Sequence, residues 1–174
     1  LLKKSLAMGL LLGLVALLAG CGGTKAPSAS HESSAAAITA GHISVLSLRG
    51  DTSNMTQDQI VELNRVGTWM DRDIIKQLKR AGYTPKLLSS RKDFNGSGYL
   101  LIIDVDKFNA GNRAARVFVG FGAGASSLDL DYQLLDSHNK LITQWKDGVG
   151  SSKGGTYCAQ TLNRNTIKRL KGQL

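Results

Sequence analysis

Residues 56–81 constrain the fold more than any other stretch. Thr56-Gln57-Asp58-Gln59 matches a capping box, where the threonine hydroxyl and the glutamine side chain satisfy free N–H groups at a helix start. Ile60, Leu63, Gly67, Met70, Ile74 and Leu78 follow at spacings of three and four, which makes one apolar stripe. Asp58 near the start, and Lys79 and Arg80 near the end, suit the helix dipole. Gly82 is a natural C-terminal cap. A striped helix over about 56–81 has to bury that stripe against another layer.

Strand-like segments supply the layer. "HISVLSL", from His42, puts Ile43, Val45 and Ser47 on one face and Ser44, Leu46 and Leu48 on the other, so it reads as a strand buried on both sides. "YTPKLLSS" reads as a short strand that Pro85 confines to an edge or a strand start. "GYLLIIDVDKF", residues 98 to 108, is a strong strand. In "SLDLDYQLLDS", residues 127 to 137, Leu128, Leu130, Tyr132 and Leu134 alternate with Asp129, Asp131 and Gln133, giving one buried and one wet face. "HNK" turns into "LITQWKD", with Leu141, Thr143 and Trp145 on one side. Residues 156 to 171 read as a second helix ending near Gly172. The order predicts an α+β fold: a mostly antiparallel sheet of four to six strands with two main helices packed on one face.

The beginning of the chain reads as a targeting signal. Lys3 and Lys4 precede the uncharged SLAMGLLLGLVALL, and then come Leu18-Ala19-Gly20-Cys21. The apolar run is short for a membrane span, which needs about 20 residues. Small residues ending on a cysteine resemble the lipobox of bacterial lipoproteins. That resemblance implies cleavage before Cys21 and attachment of lipid, palmitate included, to it. Gly22 rather than Asp after the cysteine points, by the sorting rule of such proteins, to the outer membrane with the domain facing the periplasm. The expected organisation is a signal peptide over 1–20, a lipidated cysteine and flexible tether over 21–40, and a single α+β domain over 41–174. The nineteen residues from 22 to 40 are Gly, Ser, Ala and Pro with few large apolar groups. As a coil they span roughly 25 Å r.m.s.. Loss of Lys3 and Lys4 takes the formal charge from +9 to +7. A basic balance favours acidic partners: anionic headgroups, cell-wall carboxylates or acidic proteins. Nucleic acid does not fit a lipid-anchored envelope protein. With Cys21 lipidated, Cys158 has no disulfide partner and reads as a small buried hydrophobe.

Signatures of chemistry are sparse. "RVFVGFGAGASSLD", residues 116 to 129, carries Gly120, Gly122 and Gly124, but no Gly-Lys-Ser/Thr follows and the dinucleotide spacing is wrong. It runs into a strand, so these are structural glycines that allow tight backbone paths. "GVGSSKGGT", residues 148 to 156, also lacks the P-loop ending; it leads into a helix and leaves room for weak anion binding by Lys153. "GAGAS" is not a nucleophile elbow. His31, His42 and His138 are dispersed without metal-ligand spacing. Asp104 with Asp106, and Asp129 with Asp131, share strand faces. Such pairs either bind a cation and do acid–base work or form a solvated face, and "DVDKFNAG" misses the EF-hand spacing. No catalytic residue, metal or cofactor is expected.

Two basic features remain as candidate partner-binding groups: Arg113 and Arg116 before the glycine segment, and Arg164, Lys168 and Lys171 on one face of the last helix, with Arg169 nearby and no acid after Asp147. "GNRAARVFVGFGAGASSLDLDYQLLDSHNKLI" resembles bacterial envelope domains of the domain-of-unknown-function family 4410, over about residues 40 to 172. The resemblance lies in an Arg-x-x-Arg, a Gly-x-Gly-x-Gly-like turn, an alternating strand, and an Asp followed by a turn and Lys. Arg113, Arg116, Gly120, Gly122, Gly124 and Asp136 stand at the matching places. It implies a small α+β domain on a lipoprotein and names no activity. The expectation is a non-enzymatic, lipid-anchored domain that docks an envelope protein or the cell wall. The alternative is a wall-active or small-molecule-processing periplasmic enzyme using the surface aspartates.

Overall fold

The computed structural model describes residues 41–111 and 124–174. Five strands, β1 (His42–Ser47), β2 (Thr84–Leu88), β3 (Tyr99–Asn109), β4 (Ser126–Leu135) and β5 (Leu141–Ser151), form one sheet in the order β2-β1-β3-β4-β5. β1 pairs in parallel with β2 and β3, while the longer β3–β4 and β4–β5 ladders are antiparallel. The fold is α+β with a mixed, mostly antiparallel sheet. Two helices, α1 (Gln57–Arg80) and α2 (Gly155–Lys171), lie on one face. Helix α1 is the crossover that parallel strands β1 and β2 require.

The capping box forms as its sequence demands. The Gln59 N–H donates to Thr56 Oγ1 at 3.3 Å, and the Thr56 N–H donates to Gln59 Oε1 at 2.8 Å. Thr56→Ala should therefore cost about 1 kcal/mol, read as a lower melting temperature by circular dichroism with the fold intact. The buried stripe of α1 is Leu63, Val66, Gly67, Met70, Ile74 and Leu78. Val66 takes the place expected for Ile60, which is half-buried. The start of α2 explains the exchange: Gly155 lies against Val66, and no α2 residue precedes it to cover the first turn of α1. Gly67 leaves room for the Arg49 guanidinium, which pairs with Asp71 at 2.5 Å and donates to Ser47 Oγ at 2.7 Å.

The main core joins Ile43, Val45, Leu101, Ile103, Leu128, Leu130, Tyr132 and Leu134 of the sheet to the α1 stripe and to Cys158, Ala159, Leu162 and Leu170 of α2. A smaller cluster lies on the other face, where Leu46, Leu88, Leu100, Ile102 and Leu135 meet Phe94, just after the 3-10 turn Arg91–Asp93. This second cluster is why β1 is buried on both sides. β2 is an edge strand, as Pro85 requires. β5 runs four residues past the expected end at Asp147, because β4 continues to pair it as far as Ser151. A register shift between Leu134 and Leu135 breaks the expected alternation there: Thr143 is half-buried, whereas Leu141 is exposed.

Candidate functional site

Helix α2 carries the predicted cations Arg164, Lys168 and Lys171 on one exposed face, whose two flanks border different grooves. Arg164 and Lys171 turn toward α1 and line a groove of about 310 Å³ with Arg80, Gln77, Asp73, Gln160 and Ile167. Lys168 lies on the other flank, beside Trp145, Lys146, Asp147, Asn165 and Arg169. The two flanks meet at the end of α2.

The groove is held open by a polar crosspiece. Asn163 is buried, and its Nδ2 donates to the Met70 carbonyl at 3.0 Å and to Asp73 Oδ2 at 2.9 Å. Gln77 Nε2 donates to the same Asp73 oxygen at 2.5 Å. The acid in the groove is thus engaged by two amides. Arg164 Nη2 donates to Thr161 Oγ1 at 3.2 Å. Among the described residues Arg80, Arg164, Lys168 and Lys171 form no ion pair with a carboxylate. Arg169 is committed differently: its guanidinium lies 5.1 Å above the Trp145 ring, which stacks on Tyr132 at 4.7 Å. Arg80 is the residue that sequence reasoning missed. Its charge was legible as a helix-end feature, but only the side-by-side packing of α1 and α2 places it beside Arg164 and Lys171.

The aspartates gather on the face opposite the helices. Asp104 stands directly across from Asp131, and Asp106 occupies an irregularity between Val105 and Lys107. Lys146 reaches over them, 2.9 Å from Asp131 Oδ2 and 4.0 Å from Asp106 Oδ2. The Asp131 hydrogen bond holds the Lys146 ammonium above the usual lysine range. The resulting shallow hollow, about 250 Å³, includes Asp129, Asp147 and Gly148. Among the described residues no group of three or more His, Cys, Asp or Glu is arranged to hold a metal ion.

Gly120 and Gly122, like Arg113 and Arg116, lie outside the described residues, in the connection from β3 to β4; Gly124 precedes β4. Gly148 and Gly150 belong to β5, so the second glycine segment is half strand. Lys153 sits over the Tyr157 ring at 4.7 Å. Cys158 is fully buried, its Sγ 3.6 Å from the Ser126 carbonyl, and burial pushes its thiol up, away from thiolate reactivity.

The geometry defines a small α+β domain with a cationic groove between two helices. The chain belongs to the domain-of-unknown-function family 4410, whose family profile matches residues 31–167. No curated protein matches the sequence. Among solved structures the chain is similar to the PelC dodecamer from Paraburkholderia phytofirmans, at 9% identity over 73% of this chain and 84% of that one, with a TM-score of 0.49. It is also similar to a minor lipoprotein from Acinetobacter baumannii, at 12% identity, 75% and 92% coverage and a TM-score of 0.42. A third is a putative neuraminyllactose-binding hemagglutinin homolog from Helicobacter pylori, at 11% identity, 75% and 83% coverage and a TM-score of 0.47. Likenesses this distant say nothing of what the chain binds.

Proposed function

We propose that this protein is a lipoprotein of the cell envelope, anchored through Cys21 in the outer membrane and facing the periplasm. Its domain binds an acidic envelope component, protein or wall, and does not catalyse. The observation that carries the binding reading is the groove of Arg80, Arg164 and Lys171, whose one lining acid, Asp73, is already held by Asn163 and Gln77. Guanidinium and ammonium groups in excess over the groove's one acid, at a shallow surface, suit recognition of carboxylates or phosphates. The leader and the Leu18-Ala19-Gly20-Cys21 sequence support the anchor.

Two experiments test the reading. Cys21→Ala should leave the precursor unprocessed and free of labelled palmitate; palmitate on that variant would refute the lipid site. A photo-cross-linker at Gln160, on the groove wall, should capture one discrete acidic component in intact cells. Capture that is diffuse, or indifferent to charge reversal of Arg164, would refute the binding site.

A further inference from the structure

We infer that the end of the domain where α1 and α2 both terminate is its lipid-facing surface, binding the phosphate-bearing headgroups of an anionic bilayer. This rests on the lipid-anchored reading and goes beyond it, adding the bilayer surface as a second acidic contact for the cations of this pole.

The strand registers bring five strand ends to one side of the sheet. His42 stands opposite Thr84, Ile43 opposite Tyr99, Leu100 opposite Leu135, and Leu135 opposite Leu141. One end of the sheet therefore holds the starts of β1, β2, β3 and β5 and the end of β4. Helix α1 finishes at that end: the Tyr83 N–H donates to the Leu78 carbonyl at 3.1 Å and the Thr84 N–H to the Gly41 carbonyl at 2.6 Å. Helix α2 begins after β5, at the far end, and returns alongside α1 in the same direction. The chain from Cys21 thus joins the domain, at Gly41, on the pole where both helices end.

That pole is also basic. The last turns carry Lys79 and Arg80 on α1 and Lys168, Arg169 and Lys171 on α2. These five cations outnumber the acids Asp73, Asp147 and Asp136, which are themselves held within the domain: Asp73 in the groove, Asp147 by Asn165 at 2.9 Å, and Asp136 by the N–H groups of His138 and Lys140 at 2.8 and 2.9 Å. Leu141 and Ile142, 45% and 41% exposed at the start of β5, add apolar side chains at the same pole. Cations beside exposed apolar groups are the combination that settles at a headgroup boundary. With Cys21 lipidated, the nineteen residues 22–40 would as a coil span roughly 25 Å r.m.s. and would hold this pole near the bilayer at an effective concentration around millimolar. Contacts that are individually weak, about fivefold in partitioning per cation, are then sufficient.

The test uses the full lipidated chain reconstituted on vesicles of phosphatidylcholine, alone or mixed with phosphatidylglycerol. A fluorescent donor is placed by Gln173→Cys at the basic pole or by Asn54→Cys at the far end, with an acceptor on the lipid headgroups. Transfer from position 173 should exceed that from 54 on the anionic vesicles and fall to the neutral-vesicle value in high salt. Arg80→Glu with Lys168→Glu and Lys171→Glu should weaken the contact at least about tenfold. The corresponding Gln variants, checked by circular dichroism, should give a smaller loss in the same direction. Equal transfer from both positions, or transfer indifferent to phosphatidylglycerol and to the substitutions, overturns the inference. Flotation with neutral vesicles reads the anchor separately. If it fails, the anchor is wrong, while salt-sensitive flotation with anionic vesicles that the charge reversal abolishes still upholds the basic pole. Substitution-sensitive binding to an acidic protein, without any response to phosphatidylglycerol, overturns it.

Discussion

Tyr132→Ala should destabilise the domain by about 3–5 kcal/mol, visible as a large drop in the urea midpoint with little change in slope. Tyr132 is 1% exposed in β4, between the sheet and α2, and its ring stacks on Trp145 within 5° of parallel. β3 and β5 flank it through continuous ladders, so the backbone is unable to close on the vacated volume. Removing the ring also strands the Trp145–Arg169 contact on one side. Tyr132→Phe separates packing from polarity. The hydroxyl lies beside the Thr166 hydroxyl, which donates to the Leu162 carbonyl at 2.9 Å. Burial raises the phenol well above the usual tyrosine range. Thr166 keeps its bond to Leu162 without the phenol, so losing this weakly held hydroxyl should cost under about 1 kcal/mol. A Phe variant as damaged as the Ala variant would refute this account of the core.

Gly98→Ala should cost about 2–4 kcal/mol. Gly98 has φ +76, where a side chain is strained, and a Cβ there would fall on the backbone carbonyl of His42. That oxygen belongs to the first residue of β1, so the displacement would act on the β1–β3 pairing at its first rung. Gly82→Ala is the matched control. Its φ is +93, but nothing lies within 4 Å of the added carbon, so only the conformational cost of about 1–2 kcal/mol should remain. Equal losses at both positions, measured by urea denaturation, would show that the His42 contact is unimportant.

What the sequence made legible was local. The capping box, the α1 stripe and the alternation of β4 each report on neighbours within a few positions. Where distant parts of the chain decide, legibility fails. Ile60 fits the stripe as well as Val66 does, yet only Val66 lies under the start of α2. The parallel pairing of β1 with both β2 and β3 has no local signature. The four aspartates were visible as two pairs; that Asp104 faces Asp131, with Lys146 across them, depends on register. On the basic side, Arg164 and Lys171 stood out because the last 27 residues contain no Asp or Glu. Arg80 did not, because its proximity to them exists only once α1 and α2 run side by side.

The position of β1 also has a mechanical consequence. The strand attached to residues 1–40 is not an edge strand: it lies between β2 and β3, parallel to both. A pull on Gly41 directed along the strand would load the hydrogen bonds of both ladders in shear, many rungs sharing the force together, instead of unzipping them one at a time. A domain pulled from its first strand in this way resists traction best at the strand that residues 1–40 lead into.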